Sequence, residues 1–101
     1  MEECMKMTSF GGQAKSLALR AIGMARSGDT AGADRTMAEA EEFLKKSHEA
    51  HTNLISAEAE NNDAETRVTM FMVHAADHLS SANTVYLLAE EIIHLYRKGR
   101  E

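Results

Sequence analysis

Two short polar breaks interrupt an otherwise continuous helical pattern, and they leave this chain few ways to fold. At Ser27-Gly28-Asp29-Thr30, Gly28 suits a helix C-terminus and Asp29 or Thr30 an N-cap. The second break, over 59–65, centres on the turn-prone cluster Asn61-Asn62-Asp63. Elsewhere the chain is rich in the helix formers Ala, Glu, Leu, Met and Lys, and none of its 101 residues is proline. The spacing predicts helix 1 over about 8–26, with Phe10, Ala14, Leu17, Ala21 and Met24 on its apolar face. Helix 2 is expected over about 31–58, burying Ala33, Met37, Ala40, Leu44, Ala50 or His51, Leu54 and Ile55.

Helix 3 is expected over about 64–98. At 1.5 Å per residue such a helix is ~50 Å long, longer than a compact globule of this size is wide. Short loops place consecutive helices side by side, so the expected fold is an all-α, antiparallel three-helix bundle forming one domain over residues 1–101. Helix 3 carries two stripes. Phe71, Ala75, His78, Ala82, Val85, Ala89, Ile92 and Tyr96 suit the core, whereas Met70, His74, Asp77, Ser81, Thr84, Leu88, Glu91 and Leu95 form a second seam with a polar centre. A three-helix monomer needs one buried seam. The second therefore predicts self-association, its polar residues fixing register; a partly solvated face is the alternative.

Composition removes several function classes. Sixteen Asp and Glu against eleven Lys and Arg argue against a nucleic-acid binder, and the basic Arg97, Lys98 and Arg100 complement a helix C-terminus. The lone Cys4 forms no intramolecular disulfide, and no neighbouring feature activates it as a nucleophile, so the chain reads as cytoplasmic. The acidic Met1-Glu2-Glu3, with no apolar stretch after it, predicts no signal peptide, and no apolar run of ~18 residues offers a membrane span. Gly11-Gly12 lacks the residues of a phosphate-binding loop. His74 and His78 have zinc-protease spacing, but Ala75 stands where the general-base glutamate belongs.

What remains is Val73-His74-Ala75-Ala76-Asp77-His78-Leu79. Residues three and four apart share a helix face, so His74, Asp77 and His78 adjoin. Placing such groups in an apolar helix costs free energy unless they are paired, hydrogen-bonded or bound to a metal. A zinc site of His48, His51, His74 and His78 is one possibility; His94 is expected to cap or solvate the end of helix 3.

These residues resemble the enzyme IIA component of the lactose/cellobiose (diacetylchitobiose) family of the bacterial phosphoenolpyruvate-dependent sugar phosphotransferase system. The resemblance runs from Gly12-Gln13-Ala14-Lys15-Ser16-Leu17 through Gly28-Asp29 and Glu49-Ala50-His51 to Ile92-Ile93-His94-Leu95-Tyr96-Arg97-Lys98. Its strongest element is His74-Ala75-Ala76-Asp77-His78-Leu79, against a family pattern His-(Ala/Gly)-Gln-Asp-His-Leu-Met. The resemblance implies a cytoplasmic homotrimer with the third helices central. It further implies that His74 accepts a phosphoryl group from HPr and passes it to a cysteine of the cognate IIB protein. The membrane IIC component is then met only indirectly. Asp77, one from each subunit, would bind a divalent metal on the trimer axis.

Elementary physics is compatible with those implications. Two carboxylates ~4 Å apart repel by about 4 kcal/mol at an effective dielectric near 20, so an axial cluster needs a cation or protons. Oxygen ligands favour a hard ion such as Mg²⁺. Phosphoryl transfer asks for a nitrogen lone pair and for donors to the equatorial oxygens. No Arg or Lys stands beside His74 in sequence; the expected donors are His78, Ser80 or Ser81, a neighbouring subunit or the partner. Met70, Met72 and Val73 offer an adaptable apolar docking surface. Ala76 and Ser80 depart from the family's Gln and Met. They leave a phosphotransfer-inactive trimeric interaction or regulatory module as the alternative function.

Overall fold

The computed structural model describes residues 2–60 and 69–100, which form α1 (Glu2–Arg26), α2 (Thr30–Glu60) and α3 (Met70–Gly99). The three run up, down and up as a rod with extents of 58 × 16 × 15 Å. The expected second break falls largely on residues 61–68, outside the described residues.

Local chemistry explains the helix ends. Gly28 has φ +90°, and the bonds Asp29 N–H to Met24 O (2.9 Å) and Gly28 N–H to Ala25 O (3.0 Å) close α1 in a Schellman motif. Asp29 then caps α2, its carboxylate accepting from Gly32 N–H at 2.9 Å. Thr69 caps α3 by accepting from Met72 N–H at 3.2 Å. Among the described residues helix 1 already runs from Glu2 rather than from near Thr8. Glu2 and Glu3 favour the positive end of its dipole, and Lys6 lies 3.5 Å from each.

The core is built on small residues. Cys4, Met7, Gly11, Ala14, Ala18, Ala21 and Ala25 of α1 are buried, while the expected Phe10, Leu17 and Met24 are only half-buried. The smallest side chains take the seam because α1 packs against both α2 and α3; the larger ones fill the grooves beside it. Buried Met37, Leu44 and Ala40 of α2 agree with expectation, whereas Ile55 is exposed. Ser47 is fully buried, and its hydroxyl donates to the Met7 carbonyl at 2.8 Å, tying α2 to α1.

In α3 the buried residues are Ala75, Leu79, Ala82, Ala89 and Ile93. The expected stripe is therefore right at its alanines and one residue out between them: Leu79 and Ile93 enter the core in place of His78 and Ile92. Phe71 is exposed. Burying apolar Leu79 rather than an imidazole avoids the cost of desolvating a polar ring, and it leaves His78 half-buried at the edge of the seam. Arg97 pairs with Asp34, and Arg100 donates to the Arg26 carbonyl, so the basic end of α3 does more than complement its dipole.

The turn gives a direct test. A left-handed residue with a Cβ costs about 1–2 kcal/mol, and at Gly28 the added atom would also lie 3.1 Å from Arg100 Nη1. Gly28→Ala should lower the urea midpoint accordingly with an unchanged m value; an unchanged midpoint would contradict the cap.

Candidate functional site

The second turn of α3 carries His74, and His78 follows one turn later on the same face. Their Nε2 atoms lie 3.2 Å apart, with ring centroids 4.5 Å apart and planes at 76°. Two imidazole nitrogens hydrogen-bond only when one carries a proton and the other a lone pair. The contact therefore requires a proton on one Nε2 and a lone pair on the other; when both rings are neutral, this means opposite tautomers.

The register of α1 completes the site. Up-down-up topology makes α1 and α3 parallel, and the close seam brings Gly11 beneath the last-named histidine: a Cβ at Gly11 would meet the His78 carbonyl oxygen at 3.5 Å. One turn along, half-buried Lys15 donates from Nζ to Ser81 Oγ at 3.0 Å across 66 residues of sequence. Lys15, His74, Asp77, His78 and Ser81 line one open hollow of about 170 Å³. On its other side His74 shares a hollow of about 430 Å³ with Cys4, Met5, Thr8, Ser9 and Phe71, almost wholly apolar. His74 thus stands on a ridge between a charged and an apolar depression.

The expected residues His74, Asp77, His78 and Ser81 come together on one wall. Ser80 is exposed and lines neither hollow. Lys15 was absent from the expected donors because it lies on another helix, and only the α1–α3 register reveals it. The sequence signal was its place directly after the core position Ala14, at the seam's edge. His48 is exposed on α2 and His51 half-buried. Among the described residues, no group of three or more His, Cys, Asp or Glu side chains is arranged to hold a metal, so the four-histidine zinc site is not assembled within one chain. His94 is exposed near the end of α3, as expected.

Comparison with known proteins gives this geometry a context. The family described as "PTS system, Lactose/Cellobiose specific IIA subunit" matches residues 2–97. The lichenan-specific phosphotransferase enzyme IIA component of Bacillus subtilis is 46% identical over 91 residues, 90% of this chain and 81% of that protein. The crystal structure of a cellobiose-specific enzyme IIA from Bacillus anthracis superposes with a TM-score of 0.89 at 35% identity, covering 98% of this chain and 89% of that one. The IIA(Chitobiose) protein of Escherichia coli, solved in complex with HPr, gives a TM-score of 0.83 at 32% identity, with coverages of 99% and 95%.

The paired rings make a spectroscopic prediction. Side-chain ¹⁵N NMR at a pH where both rings are neutral should find His74 and His78 in opposite tautomers. His78→Phe should return His74 to a mixture. Identical tautomers in the parent protein would rule the Nε2–Nε2 bond out.

Proposed function

The chain belongs to the lactose/cellobiose-specific IIA family of the sugar phosphotransferase system, and from that premise we propose that it carries a phosphoryl group on His74. The observation that carries this reading is the Nε2–Nε2 contact at an exposed ridge: His74 presents a nitrogen whose ordinary partner is another imidazole, which can turn from one acceptor to the next. The E. coli relative solved with HPr supports phospho-HPr as the donor. The acceptor in this reading is a cysteine of the cognate IIB protein.

The chemistry balances without acid or base. His74 is protonated on Nδ1 and attacks phosphorus through the Nε2 lone pair. The donor's P–N bond breaks, and its electron pair returns to the donor ring, which leaves as neutral imidazole because its other nitrogen carries a proton. His78, holding its proton on Nε2, releases His74 and donates to a phosphoryl oxygen. The Ser81 hydroxyl serves a second oxygen. Such a loose transition state is helped mainly by positioning and by donors to the equatorial oxygens. In the onward step the cysteine thiolate forms the P–S bond as the P–N bond breaks, and His74 leaves as a neutral imidazole because Nδ1 has kept its proton. The apolar hollow beside His74 gives either partner a place for an apolar side chain, with adaptable Met5 in its lining.

Self-association is the second part of the proposal. α1 is covered on two sides, whereas α3 keeps Met70 (88% exposed), Leu88 (56%) and Leu95 (67%) on its outer face. Solvating that face forgoes several kcal/mol of burial, at about 25 cal/mol per Å² of apolar surface. A homotrimer with three central α3 helices covers it. Asp77 lies on the same stripe and forms no ion pair among the described residues. One carboxylate does not hold Mg²⁺; three around a threefold axis fit a hard divalent cation, which would supply charge neutralisation there. No membrane-crossing helix occurs among the described residues. We place the protein in the cytoplasm on the strength of its proposed partners.

Three experiments test the proposal. Labelled phosphate passed from phosphoenolpyruvate through enzyme I and HPr should appear, acid-labile, on the parent protein and not on His74→Gln. Label on both would move the acceptor elsewhere, with His78 first in line; label on neither, with active controls, would favour the inactive module. Sedimentation should give a trimer for the parent and monomers for Leu88→Glu/Leu95→Glu. Metal analysis should find the axial ion lost in Asp77→Leu, and a variant that kept it would contradict the assignment.

A further inference from the structure

The lysines of this chain are not alike. Lys6 lies 3.5 Å from both Glu2 and Glu3, and Lys45 lies within 3.6 Å of Glu41 and Glu42. Lys46 sits over the rings of Phe10 and Phe43, 5.5 and 5.3 Å from their centroids. Lys98 is exposed at the end of α3, and Lys15 differs from all four. It is half-buried at the α1–α3 contact, and among the described residues its ammonium has a neutral hydroxyl as hydrogen-bond partner and no carboxylate within ion-pair distance. A partly desolvated cation without a counter-charge leaves electrostatic free energy unused, and it attracts whatever anion reaches the hollow.

We infer that Lys15 is the cation that grips the phosphoryl group on His74, held in position by Ser81. The inference rests on the phosphocarrier reading and names the charged partner which that reading lacks. Lys15, Ser81, His78 and His74 line the same hollow. By accepting from Lys15, Ser81 holds the ammonium at the hollow and keeps its own proton free. When His74 gains the group, the dianionic phosphoryl oxygens become the strongest acceptors in the hollow. Lys15 Nζ then shifts from Ser81 Oγ to a phosphoryl oxygen or bridges the two. No proton moves to or from Lys15; it contributes charge alone.

Asp77, on the wall of the same hollow, sets the balance. Its carboxylate repels the dianion and competes for Lys15. A cation at Asp77, as the trimer reading requires, relieves both effects and leaves Lys15 to the phosphoryl group. Lys15 is therefore a catalytic residue in the incoming transfer and a brake on spontaneous loss of the group. Ser81 holds it in place, besides offering its own hydroxyl proton to a second phosphoryl oxygen.

The test compares the full-length parent with Lys15→Gln, Lys15→Arg and Ser81→Ala, with folding checked by thermal melts. A charge-assisted hydrogen bond is worth about tenfold to a hundredfold in an equilibrium or rate. Lys15→Gln should lose that much in kcat/KM for phosphorylation by phospho-HPr. Its phosphohistidine should hydrolyse faster and show a shifted ³¹P resonance. Lys15→Arg should recover most of the rate, because its guanidinium also binds phosphoryl oxygens. Ser81→Ala should lose less than Lys15→Gln. A parent labelled on His74, beside a Lys15→Gln protein with unchanged rate, half-life and ³¹P shift, would overturn the Lys15 assignment alone. Failure of the parent itself to accept phosphate would overturn both readings.

Discussion

The close approach of α1 to its two neighbours determines nearly everything else in this molecule. Gly11, Ala14, Ala18, Ala21 and Ala25 present almost no side chain, so the partners' side chains and backbones reach the α1 surface directly. Contact at that range has little tolerance: a single extra methylene in a seam packed to native density typically costs 1–3 kcal/mol. The seam therefore locks the axial register of α1 against α3. Through that register, Gly11 meets the His78 backbone and Lys15 reaches Ser81. A slip of one turn would keep the apolar burial roughly intact and take the lysine out of the histidine site.

The same packing explains which parts of the fold are legible from the sequence. The Gly28-Asp29 turn was readable because its chemistry is local: one residue must adopt positive φ and the next must cap. Helix identities followed from composition and period. In α1 the core face was read one residue out at Phe10, Leu17 and Met24, because hydrophobicity favours large residues on the seam, whereas at a close helix contact Gly11, Ala18 and Ala25 take it. In α3 the misplaced positions were His78 and Ile92, where Leu79 and Ile93 are buried instead. The N-terminal turn was missed for a different reason. Cys4 and Met7 look like a flank until the helix dipole, Glu2, Glu3 and Lys6 are considered together.

Of the site, the part carried by one helix was legible and the part carried by two was not. His74, Asp77, His78 and Ser81 share a face of α3 by spacing alone, and the hollow gathers all four. Lys15 belongs to the same hollow through the α1–α3 register, which depends on how the intervening helix and turns return the chain. No local pattern encodes that. The departures Ala76 and Ser80 sit at the margins of this arrangement. Ala76 packs against the core and Ser80 faces solvent, and neither lines the hollow beside His74.

A carrier protein has to bind its cargo firmly enough to keep it from water and loosely enough to hand it on. In the proposed carrier role, the imidazole beside His74 and the hydroxyl-supported lysine would take the phosphoryl oxygens, and the apolar depression on the other side would receive the partner. The most direct test of that arrangement is ³¹P–¹⁵N correlation NMR on the phosphorylated, ¹⁵N-labelled protein. The account predicts scalar coupling of phosphorus to Nε2 of His74. Coupling to Nδ1 of His74, or to any nitrogen of His78, would contradict it.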